Sequence, residues 1–228
     1  LLHYAVIKNS YQGLVAAGAA AGPNPKLGLR GCIIDNIYDA GILAINSSIY
    51  AASCLISNAG GESSNNLRLI GGGSYEFTHC TVVSYGNRYL SHKNPVCYVS
   101  NYQVSDNTMY TANLQAAFSN CIFWGENGMP DDEVVAEKEG ATLFDVSFRN
   151  CLWKAVNDPV NVTVSHIIKN QDPGFDSINT GSRYFDFRLK ENSPAVDQGV
   201  NTAETQDLDG KPRLFGVLPD LGAYERQF

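Results

Sequence analysis

The stretch YGNRYLSHKNP, residues 85–95, concentrates the side chains best equipped for chemistry. Arg88 and Lys93 are cations, and His92 is a residue type that can exchange protons. Together they have the types needed to bind the carboxylate of an acidic sugar and to move a proton. Tyr85, Tyr89 and, further on, Tyr102 accompany them, and Trp124 follows beside Glu126. Aromatic bodies with polar tips suit stacking on sugar rings. A second acidic place is DLDG, residues 207–210, which resembles the start of a Ca²⁺ loop at Asp207 and Asp209. The full loop spacing, with glycine at position six and a terminal glutamate, is absent. The expectation there is a turn, with Arg213 paired to Asp220 or Glu225. The Asp131-Asp132 pair lies in NGMPDDEVVAEKEG and reads as a solvated acidic loop.

Something must position these residues. The chain has 228 residues, enough to bury a substantial core. Only 17% are charged, glycine is frequent, and the net charge is −7. That is the composition of a turn-rich β protein. An acidic chain without a Lys/Arg cluster is not a nucleic-acid or anionic-membrane binder. No apolar run reaches bilayer length, so no membrane-spanning segment is expected. The opening LLHYAVIKN reads as the middle of an element, so upstream coils are expected to precede it.

The positioning elements repeat. The phrases YAVIKN (4–9), GCIIDN (31–36), SCLISN (53–58), HCTVVS (79–84), NCIFWG (120–125) and NCLWKA (150–155) align on their second residue. Intervals between Cys32, Cys54, Cys80, Cys121 and Cys151 are 22, 26, 41 and 30 residues. A base period near 22 with insertions marks a solenoid. Short β-branched phrases make each repeat a strand. Stacked strands align their side chains into ladders, and alternation turns three columns inward. The first is Ala5 with the five cysteines. The second is Ile7, Ile34, Ile56, Val82, Phe123 and Trp153. The third begins Asn9, Asn36, Asn58, residues suited to a left-handed bend between two sheets. Gly13 and Gly41, in the similar stretches NSYQGLVA and NIYDAGILA, are assigned to tight turns.

The column between the first two (Val6, Ile33, Leu55, Thr81, Ile122, Leu152) faces outward yet is mostly apolar. An inserted loop, an upstream segment or a partner is needed to cover it. The cysteines read as a buried thiol ladder ahead of disulfides, with Cys97 in an insertion. No Cys/His cluster has metal-ligand spacing.

These phrases resemble a right-handed parallel β-helix of the pectate-lyase-like superfamily over residues 1–190, with insertions near 84–119 and 126–145. The tail is more specific. SPAVDQG (193–199), DLDGKPR (207–213) and DLGAYE (220–225) resemble the ends of choice-of-anchor Q domain surface proteins of Bacteroides-like bacteria. That resemblance implies an exported protein held at the bacterial cell surface, with residues 191–228 a C-terminal cap packed on the last coil. An open solenoid end exposes strand edges and needs a cover. YFDFRLKE (184–191) alternates like a final strand.

The superfamily includes uronate lyases, which hold Ca²⁺ on acidic residues and use an Arg or Lys base. It also includes polygalacturonases with close Asp residues, Gly-His-Gly and Arg-x-Lys. This chain has no Gly-His-Gly and no Asp-Asp pair on a repeat strand, and its Arg-x-Lys, Arg188-Leu189-Lys190, lies in YFDFRLKE beyond the repeat phrases. The expected function is therefore a non-catalytic, exported β-helix that binds glycan or another surface ligand. An acidic-polysaccharide lyase or glycosidase using Arg88, His92 and Lys93 is the alternative. A self-associating scaffold is the third reading. No cofactor is expected, with Ca²⁺ at Asp207 and Asp209 as the open alternative.

Overall fold

A computed structural model describes residues 1–61 and 64–227. The first coil holds β1 (Leu2–His3), β2 (Val6–Lys8) and β3 (Leu14–Ala17). The second holds β4 (Leu27–Arg30), β5 (Ile33–Ile37) and the start of β6 (Ile42–Ala52). The end of β6, β7 (Leu55–Ala59) and the start of β8 (Leu67–Thr78) make the third. The fourth runs from the end of β8 through β9 (Thr81–Tyr85) to β10 (Cys97–Ser100). A hairpin of β11 (Tyr102–Ser105) and β12 (Thr108–Thr111) precedes the fifth coil of β13 (Leu114–Ser119), β14 (Ile122–Glu126) and β15 (Val134–Glu137). Then come β16 (Phe144–Trp153) and β17 (Thr163–Lys169), and outside the coils an antiparallel ribbon of β18 (Phe175–Asn179) and β19 (Tyr184–Leu189).

Among the described residues every strand-to-strand pairing between coils is parallel, and a single antiparallel bridge joins Asp132 to Ala155. The chain is an all-β, right-handed parallel β-helix, with the hand that parallel crossovers take. Each full coil has three sides. Sheet I is β1, β4, the second halves of β6 and β8, β13 and the first part of β16. Sheet II is β2, β5, β7, β9, β14 and the end of β16. Sheet III is β3, the first halves of β6 and β8, β10 and β15. The sequence alignment holds residue for residue in sheet II, where Val6, Ile33, Leu55, Thr81, Ile122 and Leu152 stand in register.

The cysteine ladder has a local cause. One residue before each ladder position, the backbone bends through the left-handed region, at Tyr4, Gly31, Ser53, His79, Asn120 and Asn150. The bend brings the carbonyl two residues upstream next to the thiol. Cys54 Sγ donates to Ala52 O at 3.2 Å, and Cys121 Sγ to Ser119 O at 3.2 Å. A small side chain with a weak donor fits there. All six cysteines are buried and free. Asn9, Asn36 and Asn58 take the left-handed bend between sheets II and III as expected. The Asn36 amide donates to Asn9 Oδ1, but Asn58 donates instead to Asp35 Oδ1 at 3.0 Å.

The interior of sheet I stacks Phe77 on Phe118 (5.4 Å) and Phe118 on Phe148 (4.6 Å), with Trp153 edge-on to Phe148. Gly13 and Gly41 do not serve turns with positive φ. A Cβ on Gly41 would lie 2.5 Å from Asn66 O and 2.8 Å from Ile56 Cγ2, so glycine is needed for close stacking of successive coils.

Several expectations are corrected. Cys97 is not in an insertion: it is an inward residue of sheet III, aligned with Leu67 and Val134. The regions read as insertions near 84–119 and 126–145 carry the sheet III strands β10 and β15, and the first also contains β13. β19 is not a last coil, because it pairs with β18 outside the solenoid. The tail is not an end cap on the last coil. It runs back along the solenoid over the outward stripe of sheet II. Leu55, Val83, Ile122 and Leu152 form a second core there with Phe175, Phe187, Leu189, Leu221 and Ala223. The stripe is thus covered by the chain's own C-terminal part from the third coil onward, and neither an upstream segment nor a partner is needed there. Val6, in the first coil, remains 61% exposed.

Candidate functional site

The residues proposed from sequence do not converge. His92 is buried, and its Nε2 lies 2.8 Å from Glu133 Oε1. The other oxygen of Glu133 accepts the Val96 N–H at 3.1 Å. This pair braces the loop after β9 and offers no face to a ligand. Tyr85 is also buried, packed against Phe185 and Phe187. Trp124 points outward from sheet II as its alternation requires, but the second core encloses it. Trp124 reads from sequence as a binding aromatic because its alternation faces outward, and Tyr85 because it stands in the stretch assigned to an insertion. The tail that covers them lies far away in sequence. Tyr102 donates to Glu137, as does Tyr98, which ties the β11–β12 hairpin to sheet III. Lys93 is half-buried in the same loop as His92. Only Arg88 and Tyr89 stand exposed.

Asp207 and Asp209 are organisers of the tail. Asp207 Oδ1 accepts the N–H groups of Asp209 and Lys211, and its Oδ2 accepts that of Glu225. Asp209 forms a two-pronged pair with Arg188 at 2.8 and 3.0 Å. Arg213 does not pair with Asp220 or Glu225. It is buried and donates to Gly222 O, Ala223 O and Ser53 Oγ. Burial lowers its pKa, opposed by the charges of Asp207, Glu225 and Asp220. Asp220 accepts from Asp197 N and Arg226 N, and Glu225 from Phe215 N and Asp220 N. The three tail motifs thus meet in one hydrogen-bonded knot.

The left-handed corner between sheets I and II is the knot's dock. The Asn120 side chain donates to Val200 O and accepts from Val200 N, at 2.8 and 2.9 Å. Asn150 donates to Gln198 O, and Ser53 Oγ to Gln206 O. Glu204 receives Arg30 at 2.8 Å and the Tyr50 hydroxyl.

The open space lies on the outer surface of sheet I. A groove of about 700 Å³ crosses the coils there, walled at one end by the loop 19–25. Register assembles its floor. Ser48, Ser74, Gln115 and Asp145 form one outward row, and Tyr50, Glu76, Ala117 and Ser147 form the next. Among the described lining residues there are two carboxylates, Glu76 and Asp145, and no Lys or Arg. Glu76 and Asp145 are two coils and two residues apart, about 12 Å at Cα from strand spacing and rise. The groove offers hydroxyls, an amide and carboxylates along a flat, rigid ladder, which can hydrogen-bond an extended polar chain at successive steps.

No protein-family model matches the chain, and no curated protein matches it. Among solved structures it is similar to "Crystal structure of pectate lyase Pel9A", at 12% identity and TM-score 0.37, over 97% of this chain and 70% of that one. The fold assignment rests on the strand ladders themselves, and the site on the residues just described.

Proposed function

We propose that this chain is an exported, cell-surface β-helix that binds a glycan in the groove of sheet I without cleaving it. The groove's rows of polar side chains on a rigid parallel ladder carry this reading. A sugar polymer presents hydroxyls at regular intervals, and such a floor meets several of them at once. Ligand sites elsewhere are mostly apolar with a few polar groups. The lining of this one carries polar side chains at Ser48, Ser74, Glu76, Gln115, Asp145 and Ser147 among alanines and prolines, which favours a polar chain with apolar ring faces over a small apolar molecule. Two carboxylates without a lining cation favour a neutral or amino sugar over a uronate. The resemblance of the tail motifs is what supports export and surface attachment.

A second reading, a glycosidase, is favoured by Glu76 and Asp145 sharing one groove. Two-carboxylate hydrolysis needs carboxyl groups about 5–9.5 Å apart. These two reach that range only by leaning towards each other. The scaffold reading rested on the apolar stripe, most of which the tail occupies.

The test is a binding and turnover screen against plant, mucin and glycosaminoglycan polysaccharides, with and without Ca²⁺. Binding without release of sugars, weakened at least tenfold by Glu76→Ala with Gln115→Ala, supports the proposal. Release of reducing or unsaturated sugars, abolished by Glu76→Gln or Asp145→Asn, overturns the non-catalytic reading. Absence of binding overturns the glycan reading and leaves the scaffold.

A further inference from the structure

The sequence of the 85–95 loop marked Arg88 as a cation for acidic sugars, and the fold gives it a partner 95 residues away. The guanidinium of Arg88 lies 4.7 Å from the centre of the Tyr89 ring. That of Arg183, from the turn of the β18–β19 ribbon, lies 5.2 Å from the same centre. Two like charges therefore share one aromatic ring in a protein of net charge −7. Cation–π attraction holds each guanidinium in place while leaving its N–H edge free. Among the described residues, neither arginine has a carboxylate within ion-pair distance. The other arginine of the ribbon, Arg188, is paired to both Asp186 and Asp209.

The cluster is built rather than incidental. Asn87 Oδ1 accepts the N–H groups of Tyr89 and Leu90 at 2.9 and 3.1 Å, which fixes the loop that carries the ring. Leu90 packs on Gly60, where a Cβ would meet Leu90 Cβ at 2.6 Å. Arg183 sits in the left-handed region at φ 55°. Arg183 also lines a cleft of about 360 Å³ between sheet II and the ribbon, with Lys8, Asp35, Tyr184 and Asp186 among its other walls. Lys8 is matched there by Asp35 at 3.2 Å. The unmatched positive charge of the cleft is thus Arg183, which shares the Tyr89 ring with Arg88.

We propose that Arg88 and Arg183, braced on Tyr89, bind the oxyanion of an acidic sugar, a carboxylate or sulfate ester, whose ring lies in the adjoining cleft. Guanidinium forks match both groups. This site is separate from the sheet I groove, shares no residue with it, and does not depend on the reading given to it.

The test uses the whole chain and three probes: a trigalacturonate, a sulfated chondroitin disaccharide and neutral maltotriose. Titration calorimetry is run at low salt and at 0.15 M salt. The expected result is binding of at least one anionic probe, weakened by salt. Arg88→Ala with Arg183→Ala should lower its affinity at least tenfold with an unchanged melting temperature, because both side chains are exposed. Arg149→Ala, on the outer face of sheet I, should leave it unchanged. Preference between the two anionic probes assigns carboxylate or sulfate. Equal affinity for maltotriose, no binding of either anion, or full binding by the double variant would overturn the proposal.

Discussion

Sheets I and II are two sides of the same coil, with the same strand stacking, yet their outer surfaces have opposite fates. The outward column of sheet II runs Leu55, Thr81, Ile122, Leu152, and the tail seals it into a second core. The outward rows of sheet I run Ser48, Ser74, Gln115, Asp145 and Tyr50, Glu76, Ala117, Ser147, and they remain an open groove. A parallel strand needs cover only where its outer side chains are apolar. The choice of outer column therefore decides which side of the solenoid becomes structural and which stays available. The corner between them belongs to both: Ser53, His79, Asn120 and Asn150 bend the chain and anchor or flank the tail.

The largest effect expected from this contrast is on stability. Ile122→Ala or Leu152→Ala, outward in sheet II, should cost about 2–5 kcal/mol, as in an ordinary core. Gln115→Ala, outward in sheet I, should stay within about 0.5 kcal/mol. Urea titrations compare them directly, and equal costs would erase the distinction. Next is Arg213→Met, which leaves Gly222 O without its buried donor and removes one of the two from Ala223 O, whose other is the Leu208 N–H. It should cost about 1–3 kcal/mol and loosen the tail before the coils, seen as faster amide exchange over residues 195–225. Uniform exchange throughout the chain would show that tail and coils unfold as one unit.

A smaller effect is a hidden pH dependence. Burial and the charge of Arg213 hold His79 down at about 2 from an ordinary 6.5. Its contribution to stability is present above 6.5 and is lost as pH falls towards 2. Burial pushes Glu225 up from 4.5 to about 7. Its contribution is present below 4.5 and is lost as pH rises towards 7. Between 4.5 and 6.5 the two slopes oppose each other. Glu225→Gln should unmask stability that rises with pH in that window, and His79→Asn stability that falls. Melting temperatures at half-unit steps of pH read the sign, and parallel profiles for the two variants would refute the assignment. Smallest is Asn120→Ala, which removes the clamp on Val200 and should cost about 1 kcal/mol. Gln115→Ala again serves as the unaffected control, by thermal melting.

The repeat phrase was legible because a small residue after a left-handed bend, cysteine in five of the six phrases, and a large apolar residue two positions on recur in each. That sufficed to align sheet II residue for residue. Sheet III was not legible: its strands span only four residues, and variable loops separate them from the phrase. Cys97 and the β10 and β15 segments were accordingly read as insertions. Trp124 and Tyr85 misled for another reason. Alternation correctly turned Trp124 outward, but only the distant tail determines that outward means buried. The groove was invisible because Ser74, Gln115 and Asp145 are unremarkable singly and meet only through register. Arg88 and Tyr89 carried a signal, and their partner Arg183 did not.

Hydroxyl-radical footprinting of the whole chain tests the contrast between the two sides most directly. Trp124 and Tyr85, outward or near the sheet II stripe but enclosed, should resist oxidation as well as Trp153 in the interior. Tyr89 and Tyr184, at 61% and 59% exposed, should be oxidised readily. Oxidation of Trp124 at the rate of Tyr89 would mean that the tail does not cover sheet II, and the account would fail.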